Sequence, residues 1–131
     1  MKIRMDLRLC TDEGERFFGE GPYRLLLGVE ELGSLRAAAK RMGMAYTKAF
    51  AIIKRAEAEF GFALTRRTIG GKGGGSSRLT DDAKELIKRY EAYRAACAAM
   101  ADSLYLEYFQ DFRPQQSAAH RQQADGQDHL A

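Results

Sequence analysis

Arg66-Arg67-Thr68-Ile69-Gly70-Gly71-Lys72-Gly73-Gly74-Gly75-Ser76-Ser77-Arg78-Leu79-Thr80 joins a basic segment to a loop almost free of side chains and then to a helix start. Glycine adopts backbone angles closed to other residues and lets a chain approach a phosphate closely. Arg66, Arg67, Lys72 and Arg78 supply cations that a nucleic-acid backbone attracts. With short strands at 64–67 and 78–80, the run reads as the wing of a DNA-binding domain. The register of its glycines argues against nucleotide binding: a P-loop needs Ser or Thr straight after Gly-Lys, but Gly73 follows Lys72, and a G-x-G-x-x-G pattern meets Ser76 or Arg78 where its last glycine belongs. A flexible linker between two units is the other reading of such a run, although a linker has no need of flanking arginines.

Upstream, Gly21-Pro22 starts a helix, since proline suits a first turn. Tyr23, Leu26, Leu27, Glu30 and Glu31 follow a helical period until Gly33 stops it. Ser34 is a good N-cap for a second helix over 35–42, and Gly43 breaks it before a third at about 45–60. Two short helices around one glycine-centred turn are a helix-turn-helix. Ala38, Met42, Met44, Ala49 and Ile52 fall where those helices touch, and small Ala39 allows close approach. On the third helix Tyr46, Ala49, Phe50, Ile53 and Phe60 form an inward stripe, leaving Thr47, Lys48, Ala51, Lys54 and Arg55 outward. A small, polar, basic face is what a helix entering a major groove requires; a solvated face would look similar. The candidate DNA-contacting set is Ser34, Arg36, Tyr46, Thr47, Lys48, Ala51, Lys54, Arg55, Arg66, Arg67, Lys72 and Ser76.

Charge is distributed to match. Of a net +3, residues 34–80 hold ten basic and two acidic side chains, +8, which leaves −5 elsewhere. That asymmetry suits a polyanion-facing region on a neutral-to-acidic scaffold, or else a solvated basic surface without a partner.

Thr80-Asp81-Asp82 caps a long helix that meets neither Pro nor Gly before about residue 111. Its roughly 30 residues would extend about 45 Å. Leu86, Tyr90, Tyr93, Cys97, Met100 and Leu104 recur at spacings of four and three, a coiled-coil-like seam. A second copy of the chain is the simplest cover for it; folding back onto the N-terminal strand is the alternative. Within the seam Cys97 acts as a small hydrophobe or lies near its own mate across a two-fold axis. At the N-terminus, Ile3, Met5, Leu7 and Leu9 alternate with Lys2, Arg4, Asp6 and Arg8, the period of a half-buried strand, and a turn at 11–14 leads to a second strand at 15–18. Two strands alone are marginal, so this hairpin packs on a helix or pairs across a dimer.

The expected fold class is therefore α+β, mainly α: a winged helix-turn-helix with an N-terminal β-hairpin and a long C-terminal dimerisation helix. Its parts are the hairpin at 1–19, the DNA-binding domain at 20–80, the long helix at 81–112 and a polar tail at 113–131 expected to be disordered or only marginally helical. Neither Cys10 nor Cys97 has a Cys or His neighbour at metal-ligand spacing, and His120 and His129 lie in the tail, so no metal or cofactor is expected. The charged start lacks a signal peptide's apolar stretch and no apolar run approaches the roughly 20 residues that span a bilayer, so the expected location is cytoplasmic, away from membranes. No nucleophile-base pair or intact nucleotide motif points to an enzyme.

Leu32-Gly33-Ser34-Leu35, Ala37-Ala38-Ala39-Lys40, Gly43-Met44-Ala45-Tyr46 and the glycine-lysine-glycine wing followed by Leu79-Thr80 resemble the N-terminal winged helix-turn-helix domain of the ModE-type molybdate-responsive regulators over roughly residues 20–108. The helix-turn-helix portion is shared with LysR-type regulators. The resemblance implies a prokaryotic homodimer that binds a palindromic operator in double-stranded DNA, with the third helix in the major groove and the wing on the backbone or minor groove. Ala45 stands where the family has Ser, which removes a cap and a possible phosphate donor, and Phe50 stands where it has Trp, keeping an aromatic expected in the core. Full-length relatives carry C-terminal molybdate-binding domains, and the sequence after the long helix offers no such site, so direct molybdate binding is not expected. An alternative from another class is a protein-interaction module that heterodimerises with a full-length regulator through the long helix and lacks autonomous operator binding.

Overall fold

The computed structural model describes residues 2–68 and 76–113, in the order β1 (Leu9–Cys10), β2 (Arg16–Phe18), α1 (Glu20–Leu32), α2 (Leu35–Arg41), α3 (Tyr46–Phe60), β3 (Thr65–Thr68), β4 (Ser76–Leu79) and α4 (Asp81–Phe109). The fold is mainly helical with two small antiparallel hairpins, β1–β2 and β3–β4. Two compact units emerge: one spans Met5–Cys97, and the other, among the described residues, comprises 2–4 and 98–113. α4 is a single helix that contributes to both.

The helix-turn-helix follows from its punctuation. Gly33 closes α1 in the left-handed region (φ 72°), with its N–H donating to the Val29 carbonyl. Ser34, in extended conformation, then opens α2 by accepting the Ala37 N–H on its Oγ at 3.1 Å. Gly43 (φ 67°) makes the turn, and the Met44 N–H reaches back to the Ala39 carbonyl at 2.9 Å. These conformations are ones an L side chain resists, which is why the glycines fix the element boundaries.

Packing then brings α1 onto α2 at Gly28. A Cβ built there would lie 2.6 Å from Ala38 Cβ and 3.2 Å from Ala38 Cα. This close approach lies between α1 and α2 at Ala38, a different contact from the one expected of Ala39 between α2 and α3, and it depends on a glycine. Around this crossing Leu25, Leu26, Val29, Ala38, Ala39, Ala49, Ile53, Ala56 and Leu64 are buried. Phe18 carries the N-terminal hairpin into the same core, edge-on to Phe60 and Tyr90 with centroids 5.6 and 5.2 Å away. Such aromatic pairs add to what their burial contributes.

Hydrogen bonds tie the second hairpin to this core. The Ser77 N–H donates to the Gly33 carbonyl at 2.8 Å, attaching β4 to the α1–α2 turn. Glu57 Oε2 accepts the Leu64 N–H at 2.7 Å, fixing the exit from α3. Thr80 works three ways: its N–H donates to the Leu64 carbonyl at 3.0 Å, its hydroxyl donates to the Ala63 carbonyl at 2.7 Å, and its Oγ1 accepts the Ala83 N–H at 3.0 Å. The expected N-cap of α4 is therefore also the bolt between α4 and β3.

Three expectations are corrected. The N-terminal strand shrinks to Leu9–Cys10, with Ile3 and Met5 exposed at 41% and 53%. An alternating pattern supplies an apolar face but no pairing edge, and β2 offers only three residues with a register shift opposite Leu9 and Cys10. Phe50, expected in the core, is 44% exposed, because Ala49, Ile53 and Ala56 form the buried stripe of α3. Tyr90 is 7% exposed and sits inside the domain core, its hydroxyl donating to the Leu7 carbonyl at 3.2 Å, so it is withdrawn from any seam on α4.

Gly28→Ala should lower stability by about 1–3 kcal/mol through overpacking, despite alanine's helix propensity advantage of about 1 kcal/mol. Paired with Ala38→Gly, it should lose less than the sum of the two single changes, since the clashing methyl is removed. Urea denaturation of the four proteins checks this, and strict additivity would refute the crossing as drawn.

Candidate nucleic-acid interface

α3 divides into three faces. At about 100° per residue, Ala49, Ile53 and Ala56 point into the core. Thr47, Lys48, Ala51, Lys54 and Arg55 are exposed, as the sequence pattern requires. Two flanking rows diverge from that outer face. Lys48, Ala51, Ile52 and Arg55 line a groove of about 470 Å³ shared with the N-terminal hairpin and the start of α1. Tyr46, Phe50, Ile53 and Lys54 line a second groove of about 490 Å³, shared with Arg66 and Arg67 of β3 and Ser77 of β4.

The remaining candidates play different parts. Ser34 is half-buried with its hydroxyl engaged as the α2 cap. Arg36 stacks its guanidinium on the Tyr46 ring, 4.2 Å from the centroid, so the starts of α2 and α3 are joined by a cation–π contact. Lys54 is drawn to Glu57 at 3.2 Å and lies 5.3 Å from the Phe50 centroid, which gives that exposed ring a role as a stem support. Arg55 is shared between Glu15 at 3.6 Å and Glu59 at 3.7 Å. Ser76 Oγ is hydrogen-bonded to Thr68 Oγ1 across the loop end of the second hairpin. Lys72 lies outside the described residues. Among those described, Arg36, Lys48, Arg66 and Arg67 have no ion-pair partner, so their charge stands unneutralised.

α3 starts without a side-chain cap. Ala45 holds the extended conformation of an N-cap (φ −63°, ψ 144°) but offers no hydroxyl to the first-turn amides. The positive end of a helix bearing free N–H groups attracts anions, here beside Lys48 on the exposed first turn.

On α4 the expected seam separates into two parts. Leu86 is half-buried against the core and Tyr90 is buried in it. Tyr93 is 64% exposed, Cys97 half-buried, Met100 63% exposed and Leu104 45% exposed. Sequence spacing had stopped at Leu104, whereas Leu106, Tyr108, Phe109 and Phe112 are also exposed. The other side of α4's first half is anchored: Tyr23 donates to Glu91, and Arg94 lies over the Tyr23 ring at 4.6 Å while pairing with Glu20 at 2.8 Å. Burial, reinforced by Glu91, pushes the Tyr23 phenol above its ordinary value.

A tri-helical core whose second and third helices form a helix-turn-helix, followed by a β-hairpin, is a winged helix-turn-helix, the architecture of DNA-binding transcription regulators. Residues 23–84 match the bacterial regulatory helix-turn-helix protein, lysR family, and this segment is a helix-turn-helix domain of that type. The ModE-type resemblance carried by 32–46 and the wing is matched by "Molybdenum transport protein ModE" of Herbaspirillum seropedicae, 35% identical over 85 residues, 65% of this chain and 30% of that protein. The chain thus spans less than a third of that relative's length. The crystal structure of the CbnR_DBD-DNA complex superposes with a TM-score of 0.50 at 20% identity, covering 66% of this chain and 93% of that one, which shows the shared fold. ArgP from Mycobacterium tuberculosis matches at 29% identity and a TM-score of 0.45, covering 63% of this chain and 29% of its own. No helix among the described residues is long and apolar enough to cross a membrane.

Ala45→Ser should stabilise the fold by about 1 kcal/mol by capping α3. Thermal unfolding of the two proteins tests it, and an unchanged midpoint would mean the first-turn amides already find partners.

Proposed function

We propose that this chain is a cytoplasmic, sequence-specific transcription regulator that binds a palindromic operator as a homodimer. α3 enters the major groove, with the second hairpin on the backbone or minor groove. The observation that carries this reading is the outer face of α3. Thr47, Lys48, Ala51, Lys54 and Arg55 are exposed together on a helix whose opposite face is wholly core. Small residues there permit approach, Thr47 and Lys48 reach base edges, and Arg66 and Arg67 of β3 meet phosphates.

Homodimer formation rests on the exposed apolar residues of α4 and the turn just after it. Tyr93, Met100, Leu104, Leu106, Tyr108, Phe109 and Phe112 are each 45% exposed or more, more large apolar surface than a monomeric helix end usually leaves to water. A two-fold axis there would space the reading helices by about 34 Å or a multiple of it.

Fluorescence anisotropy against the chain's own upstream region and against scrambled DNA, across a salt series, tests the DNA reading. Arg66→Ala/Arg67→Ala should weaken binding to all sequences alike and flatten the salt dependence by about one contact per residue. Thr47→Ala and Lys48→Ala should instead change which sequences are preferred, at about 1–3 kcal/mol per lost base contact. Loss of the same size on every sequence from both sets would contradict these roles.

For the dimer, Met100→Glu/Leu104→Glu should shift the sedimenting species from dimer to monomer without altering the circular dichroism of the helix-turn-helix. A monomeric wild type that shows no DNA preference and co-purifies with a longer regulator would favour a heterodimerising interaction module instead.

A further inference from the structure

The major groove is bordered by two phosphodiester strands, and a helix lying in it has one on either side. α3 carries a groove on each flank. The groove toward β3 was expected from the basic wing, with Lys54, Arg66 and Arg67 along it. The opposite groove was not expected from sequence. Its α3 wall is the row Lys48, Ala51, Ile52, Arg55, at spacings of three, one and three, which places these residues along one edge of the helix. Residues 46, 50 and 53 recur at four and three on nearly the opposite edge.

Facing Lys48 and Arg55 across the first groove are Arg8, just before β1, and Arg16, the first residue of β2. All four are exposed. Among the described residues Arg8, Arg16 and Lys48 have no ion-pair partner. Three carboxylates lie nearby and all are engaged: Glu15 and Glu59 with Arg55 at 3.6 and 3.7 Å, and Glu20 with Arg94 at 2.8 Å. The groove therefore holds an excess of cations over free anions. Gly19 helps to shape it, since a Cβ there would stand 3.2 Å from Arg8 Cγ, so the bare backbone lets the arginine stem lie against the start of α1.

We propose that Arg8 and Arg16 of the N-terminal hairpin, with Lys48 and Arg55 of α3, form a second phosphate clamp that grips the DNA backbone on the side of α3 opposite the wing. This rests on the DNA-binding reading above and extends it: the hairpin is part of the nucleic-acid interface, and α3 is held between two cationic walls. A cation pair that carries no sequence information sets register and affinity, while α3 alone sets preference.

The test is the salt dependence of DNA binding by the full chain, with wild type, Arg8→Ala/Arg16→Ala and Arg8→Lys/Arg16→Lys measured on a preferred and a scrambled duplex. Two lost phosphate contacts should lower affinity about ten- to thirtyfold near physiological salt and flatten the log-log salt slope by about 1.8 on both duplexes. The preference ratio between the duplexes should not move. The lysine pair should restore the slope, which a purely structural role for the arginines would not predict, and unfolding midpoints establish that each variant is folded. A wild-type slope and affinity retained by the alanine pair would overturn the second clamp while leaving the DNA-binding reading intact. Wild type that binds neither duplex at low salt would overturn the reading and the clamp with it.

Discussion

The missing side chain at Gly28 sets the distance between α1 and α2, and most of the domain depends on that distance. With Ala38 Cβ only 2.6 Å from where Gly28 would carry its own, the two helices come close enough for Leu25, Leu26 and Val29 to join Ala38, Ala39 and Ile53 in one buried core. α3 can then present a narrow buried stripe of two alanines and an isoleucine. A narrow stripe leaves a wide free face. The helix that has most to offer a ligand is thus the one that gives least of its circumference to the core.

Around this centre the backbone is tied at the points where elements change direction. Gly33 accepts from Ser77, Leu64 is held by Glu57 and Thr80, and Thr80 also caps α4. Each bond satisfies a polar group at a helix end or strand end that burial would otherwise strand. The consequence is positional: the arginines of β3 stand beside α3 because the hairpin is bolted to the helical core at Leu64, where β3 begins, and at Ser77 of β4. The N-terminal hairpin is fixed differently, by Phe18 packed edge-on against Phe60 and Tyr90. That aromatic anchor is what puts Arg8 and Arg16 on the other flank of α3.

Charge neutralisation sorts the basic residues into two groups that a count of charges cannot separate. Arg41 is paired with Glu31 at 2.5 Å and Arg94 with Glu20, and both serve the scaffold. Lys48, Arg66 and Arg67 keep their charge open. Glu57 illustrates the limit of reading charge along the chain: it is one of two acids in a basic segment, yet its carboxylate is occupied by a backbone amide and by Lys54.

By itself the sequence determined the elements and their punctuation. Gly33, Ser34 and Gly43 mark the helix-turn-helix, Thr80 caps the long helix, and a 3.6-residue period separates the outer face of α3 from its core face. These are local properties, set by backbone angles and side-chain capping within a few residues, so they can be read in order along the chain. Only the tertiary structure decided which apolar residues find partners. Phe50 and Tyr90 look alike as aromatic members of periodic stripes, yet one is left in solvent and the other enters the core, because burial depends on what faces a residue from distant elements. The hairpin arginines beside α3 were hidden for the same reason, since about forty residues of sequence lie between Arg8 and Lys48 and only the burial of Phe18 brings them to one groove.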